Sequence, residues 1–157
     1  MTTPSRDSLE QALLRIADPA GEGSRSCLTV YADAARKAAD AADARAKSGT
    51  SLGPLDGTVV TIKDLFDVAG EVTRAGSKLL ATHGKPATAS AAAVKRLTAA
   101  GAVIVAKTNM DEMAQATVGL STVGGQILNP YDLTKGPGGS SGGTGVAVAA
   151  GFATVGL

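Results

Sequence analysis

Ala102-Val103-Ile104-Val105-Ala106 is an unbroken apolar run, closed upstream by Gly101 and downstream by Lys107. A strand that is apolar at every position needs cover on both faces, which is the habit of strands in parallel sheets. Just before it, Thr88 to Ala100 is alanine-rich and reads as a helix that stops at Gly101. Further upstream, Thr58-Val59-Val60-Thr61-Ile62 is built mostly of β-branched residues and reads as the first strand of the pair, with a polar tail, Lys63-Asp64. Strand, helix, strand in this order predicts an α/β fold with crossover connections.

The flanks extend the pattern. Asp7 to Ala17 reads as a helix with Leu9, Ala12, Leu13 and Ile16 on one face. Ser26 is read as the cap of a second helix running to about Lys47, its alanines favouring that state. Gly53-Pro54-Leu55-Asp56-Gly57 is a turn by composition, and Gly70 to Gly76 a loop. Asn109 followed by Glu112 resembles a capping box and predicts a helix there. Leu120 to Lys135 reads as irregular, and Thr144 to Ala150 as a short apolar helix. The division expected is residues 1–50 as an N-terminal helical segment and 51–157 as the first part of the α/β core.

Composition limits the function classes. The chain has 157 residues, enough for one ordinary domain. Its apolar content is mostly alanine and valine, with 3% aromatic residues and no tryptophan, which predicts a core of small, closely packed side chains. A net charge of +1 leaves no electrostatic footprint for nucleic acid or a membrane surface. Met1 to Ala20 lacks the apolar core of a signal sequence, and no apolar stretch is long enough to span a bilayer. Cys27 is the only cysteine and His83 the only histidine, so no disulfide, metal or cofactor is expected, and the cytoplasm is the simplest compartment. His83 is read as a solvated residue.

Beyond the second strand lies the densest signal, Gly136-Pro137-Gly138-Gly139-Ser140-Ser141-Gly142-Gly143-Thr144-Gly145, in which six of ten residues are glycine. Such a run is a shaped loop presenting two hydroxyls and bare backbone N–H groups. It is not a Walker loop, since no Gly-Lys-Ser/Thr closes it. A dinucleotide fingerprint needs a buried strand before it, and Asn129 to Lys135 is not one. Ser141 fits Gly-x-Ser-x-Gly, but a nucleophile elbow also needs an acid and a histidine after it, and neither follows. A serine can also be activated by a neutral lysine. Bringing a lysine from about 10.4 to about 7–8 takes roughly 4 kcal/mol of desolvation or nearby positive charge. Lys63, ending the first strand, and Lys107, ending the second, are both placed where open α/β sheets put functional residues.

Five ordered blocks carry a resemblance. Gly53-Pro54-Leu55-Asp56-Gly57, Val60-Thr61-Ile62-Lys63-Asp64, Thr108-Asn109-Met110-Asp111-Glu112, Asn129-Pro130 and Gly138-Gly139-Ser140-Ser141-Gly142-Gly143 together resemble the amidase signature family, which includes broad amidases and the A subunit of the aminoacyl-tRNA amidotransferase. The similarity runs from about Leu52 to the C-terminus, with the N-terminal helical segment compatible with it. It implies a mixed sheet covered by helices and amide hydrolysis by a Ser–cis-Ser–Lys triad. Lys63 matches the general base and Ser140 the bridging serine, with a cis peptide between Gly139 and Ser140. Gly138, Gly139, Ser141, Gly142 and Gly143 would support the loop, and Lys107 reverts to a solvated strand-end lysine. Asp64 is read as a partner for a neighbouring cation. In the family the nucleophilic serine and the oxyanion hole lie in a later Gly-Gly-Ser block. Only seventeen residues follow Ser140, so the nucleophile is expected beyond Leu157. The core is expected to be incomplete at its C-terminus, and the 157 residues alone to be inactive.

The partner expected is a small-molecule amide, with no nucleic acid or membrane contact, and with either a homo-oligomer or a partner subunit compatible. Two other readings stand beside the hydrolase. One is a non-catalytic amidase derivative that binds amides or a partner chain, and the other an unrelated α/β module whose glycine loop holds an anion.

Overall fold

A computed structural model describes residues 4–157. Helix α1 (Ser5–Ala17) is followed by the single turn α2 (Gly23–Ser26), strand β1 (Cys27–Val30) and the long helix α3 (Ala32–Ser48). Strand β2 (Val59–Lys63), helices α4 (Lys78–His83) and α5 (Ala92–Ala99) and strand β3 (Val103–Thr108) come next. A two-stranded ribbon, β4 (Leu120–Ser121) with β5 (Gly125–Gln126), precedes helix α6 (Gly142–Ala149) and the short strand β6 (Val155–Gly156).

The main sheet has the order β1-β3-β2-β6. β2 runs parallel to both β3 and β6, while β1 lies antiparallel on β3. The sheet is therefore mixed and the chain α/β, as expected. Every residue of β2 is buried, which fits a central strand flanked on both edges.

The core is built from small side chains. Leu9, Ala12 and Ile16 of α1 and Ala35 and Ala39 of α3 pack with Val59, Val103, Val105, Ala147 and Phe152. Alanine on α3 brings that helix close to the sheet, and Phe152 supplies the one large ring of the cluster. The α1–α3 pair is also tied by charge. Asp43 of α3 accepts hydrogen bonds from the Ser5 and Arg6 backbone N–H groups at 2.7 and 3.1 Å, capping α1 from across the interface. Glu10 of α1 receives Arg36 of α3 at 2.8 and 3.0 Å.

Three sequence expectations are corrected. The helix read from Ser26 is two helices separated by β1. Thr29 and Val30 are β-branched, and pairing with Lys107 and Ala106 outweighs the helical preference of the alanines beyond. Ser26 ends α2 instead, its hydroxyl donating to the Glu22 carbonyl. The helix expected after Asn109 is only a 3-10 turn, Glu112–Ala114, entered from Asp111 with no side-chain cap. Finally, Gly142 and Gly143, read as loop, form the first turn of α6. Gly143 is required there by contact: a Cβ would overlap the Asn109 carbonyl oxygen and lie 2.8 Å from the Asn109 backbone nitrogen. Gly143→Ala is expected to destabilise the protein by about 1–3 kcal/mol, read from the midpoint of urea unfolding. An unchanged midpoint would show that α6 is free to move away from Asn109.

Among the described residues no helix is long and apolar enough to cross a membrane.

Candidate active site

The end of β2 holds Lys63 on both sides. Its backbone N–H donates to the Leu157 carbonyl at 2.8 Å, and the next N–H, of Asp64, donates to the Thr108 carbonyl at 3.0 Å. The side chain is 7% exposed. Its ammonium donates to Ser140 Oγ at 2.7 Å and to Ser141 Oγ at 2.9 Å. Burial lowers the proton affinity of this lysine from its ordinary value, and the negative charge of Asp111 partly opposes that shift.

The two serines are presented by the turn into α6. The peptide bond between Gly139 and Ser140 is cis. The Ser140 carbonyl accepts the Asp111 backbone N–H at 3.1 Å, and the Ser141 carbonyl accepts the Gly145 N–H at 3.0 Å as α6 begins. Of the residues singled out from sequence, Lys63, Ser140 and Ser141 meet directly. Gly139 backs onto Asp111, Gly142 onto Pro137 and Ile127, and Gly143 onto Asn109. Gly138 takes a φ of +83°, with open space around it.

Lys107 departs from its reading as a solvated lysine. It is fully buried, with Nζ 3.1 Å from Asp64 Oδ1, itself fully buried. Asp64 Oδ2 receives Arg74 Nε at 3.1 Å, and Arg74 also donates to Thr29 Oγ1 at 2.8 Å. Successive residues at a strand end point to opposite faces. Lys63 thus meets the glycine loop while Asp64 gathers Lys107 and Arg74 behind the sheet. Tyr31 donates to Glu71 at 2.7 Å, and burial followed by Glu71 pushes its phenol well above the ordinary range.

Two further buried groups escape the sequence reading. Asn109 is fully buried and is a hub rather than a cap. Its Oδ1 accepts from the Met110 N–H at 2.9 Å and from Ser121 Oγ at 2.7 Å, while Nδ2 donates to the Arg25 carbonyl at 2.9 Å. Asp111 is likewise fully buried, and its Oδ1 accepts the Val118 and Leu120 N–H groups at 3.3 and 2.9 Å. The signal for both was the largely polar stretch Asn109 to Glu112, which directly follows a strand too buried to end in solvent.

A mixed α/β sheet with a buried strand-end lysine on a cis-linked serine defines a protein with a lysine–serine site. The chain belongs to the amidase family: the sequence profile described as Amidase matches residues 8–157, and amide hydrolysis is the chemistry at the level of that family. The chain is similar to the A subunit of the glutamyl-tRNA(Gln) amidotransferase of Anaeromyxobacter dehalogenans, 46% identical over 147 residues, covering 94% of this chain and 29% of that protein. Among solved structures it is similar to the peptide amidase of Stenotrophomonas maltophilia, with TM-score 0.85 and 37% identity over 98% of this chain and 32% of that one. It is also similar to a chain from a vestigial protein complex bearing on the origins of an s-triazine catabolic enzyme, with TM-score 0.87 and 42% identity over 96% of this chain and 33% of that one. The chain spans less than a third of the length of the curated relative it matches.

Proposed function

We propose that the whole protein cleaves a carbon–nitrogen amide bond through a serine–cis-serine–lysine relay, with Lys63 as general base and Ser140 as the bridging serine. The observation that carries this reading is the 2.7 Å contact between Lys63 Nζ and Ser140 Oγ, made by a lysine whose proton affinity burial has lowered. On this reading the nucleophile is a serine other than Ser140 and Ser141, assisted by backbone N–H groups that form an oxyanion hole.

In the working state Lys63 is a neutral amine, with one lone pair and two N–H bonds. The lone pair accepts the Ser140 hydroxyl proton, and an N–H donates to Ser141 Oγ. Ser140 Oγ takes the proton of the nucleophilic serine as its oxygen bonds to the amide carbon. The proton returns along the same path to the leaving nitrogen as the carbon–nitrogen bond breaks. Water then enters by the same relay and releases the acid from the acyl-serine. Ser141 thus orients the lysine as well as supporting the loop.

The test is a set of variants of the whole protein assayed on a panel of small aliphatic, aromatic and peptide amides. Ser140→Ala is expected to lower kcat about 10²-fold, and Ser141→Ala by less than about tenfold. Equal losses, or none for Ser140→Ala, would remove Ser140 from the bridging role.

A partner subunit is the second reading, supported by 46% identity to a protein named as a subunit of an amidotransferase. Light scattering on the whole protein with and without host lysate fractions reads it: a discrete heteromeric species supports it, and a monodisperse homomer argues against it.

A further inference from the structure

Asp111 occupies an unusual position beside the relay. It is fully buried, yet its Oδ2 has no hydrogen-bond partner among the described residues. Buried carboxylate oxygens are normally satisfied, and one left bare is costly. Three contacts fix it there. Its backbone N–H holds the Ser140 carbonyl at 3.1 Å. Its Oδ1 clasps the Val118 and Leu120 N–H groups. Its Oδ2 lies so close behind Gly139 that a Cβ added there would collide with it. One residue therefore touches both sides of the Gly139–Ser140 peptide and also anchors the segment that runs over it.

We propose that Asp111 is the positioning residue of the relay, setting where the Ser140 hydroxyl stands. This rests on the reading of Lys63 and Ser140 as relay partners. Among the described residues the glycine loop gives the lysine the Ser140 and Ser141 hydroxyls, and just past β6 the Leu157 carbonyl takes its backbone N–H. Asp64, Arg74 and Lys107 are paired among themselves behind the sheet. Asp111 raises the proton affinity that burial lowers, so it holds the lysine at a compromise between the two.

The sign of the effect follows. Without the Asp111 charge, burial acts unopposed and Lys63 loses its proton at lower pH. The relay needs the neutral amine, so the acidic limb of the pH–rate profile moves down. In the whole protein, Asp111→Asn is expected to shift that limb to lower pH. It is also expected to lower kcat about tenfold to a hundredfold through displacement of Ser140, with KM within about twofold. A second readout needs no turnover: competitive acylation of Lys63 with acetic anhydride across pH, followed by mass spectrometry, gives the midpoint of its deprotonation. That midpoint should move with the limb. Asp111→Glu keeps the charge but displaces the carboxylate, so it should lower kcat while leaving the midpoint near that of the parent.

An unmoved midpoint in Asp111→Asn, with kcat unchanged in both variants, overturns the inference. If Asp111→Asn fails to fold, Asp111→Glu decides: lowered kcat at constant KM supports the role, and unchanged kcat overturns it. Failure of the relay itself looks different. Full activity in Lys63→Met would sink the proposed function, while the acylation midpoint would still report whether Asp111 acts on Lys63.

Discussion

Replacing Lys63 with methionine is expected to lower amide turnover by the whole protein about 10²–10⁴-fold while the fold persists. The range is that of removing a positioned general base. Methionine has similar length and suits a site that is 7% exposed. It removes both hydrogen bonds to the serines and the only amine in the relay. The loss should fall on kcat, with KM little changed, because in the proposed relay the lysine acts on the transferring proton rather than on the bound amide. Residual activity should also lose the acidic limb that titration of Lys63 imposes. Steady-state kinetics across pH, with circular dichroism to confirm folding, make the measurement. Rates near those of the parent would exclude Lys63 as the base.

The largest stability effect is expected behind the sheet. Lys107 and Asp64 are both fully buried and 3.1 Å apart. Removing Lys107 leaves Asp64 with Arg74 alone and its Oδ1 unpaired in a medium that solvates charge poorly, and losses from breaking a buried pair run to about 3–5 kcal/mol. Lys107→Met should therefore unfold at markedly lower urea than the parent. The double variant Lys107→Met/Asp64→Leu should recover most of the loss, because apolar replacement of a whole buried pair is often neutral. Arg74 would lose its carboxylate in that variant, but its side chain is 22% exposed and can turn to water. A single variant within about half a kcal/mol of the parent, the range of an ordinary surface change, would show that the pair carries no such role.

The sheet was largely legible because its strands announce themselves. β3 is a continuous apolar run and β2 is mostly β-branched, and both fell within a residue or two of expectation. β1 was not legible. Cys27 to Val30 is four residues long beside an alanine-rich helix, and only pairing with β3 makes it a strand. The lysine–serine contact was legible through the ordered blocks, since glycine density and a strand-end lysine persist in sequence as composition. Lys107 and Asn109 were misread for a common reason. Local rules assign a strand-end lysine to solvent and a polar run to a helix cap, and both rules ignore what packs above the strand end. Burial at that end is a tertiary property, set on one face by α6, the glycine turn and the loop from Asp111 to Leu120, and on the other by the Asp64 and Arg74 pairing.

Lys63 and Ser140 stand 77 positions apart in sequence, which bears on how the protein matures. Closing so long a loop carries an entropic cost that must be met before the contact returns anything. Between the two lie β3 and the whole segment that seats the glycine turn, so the pair meets only when β3 has joined β2 and α6 has settled on Asn109. A partly folded chain then holds an ordinary solvated lysine and an ordinary serine, neither primed. The lysine–serine contact is a late product of assembly rather than a local property of either segment.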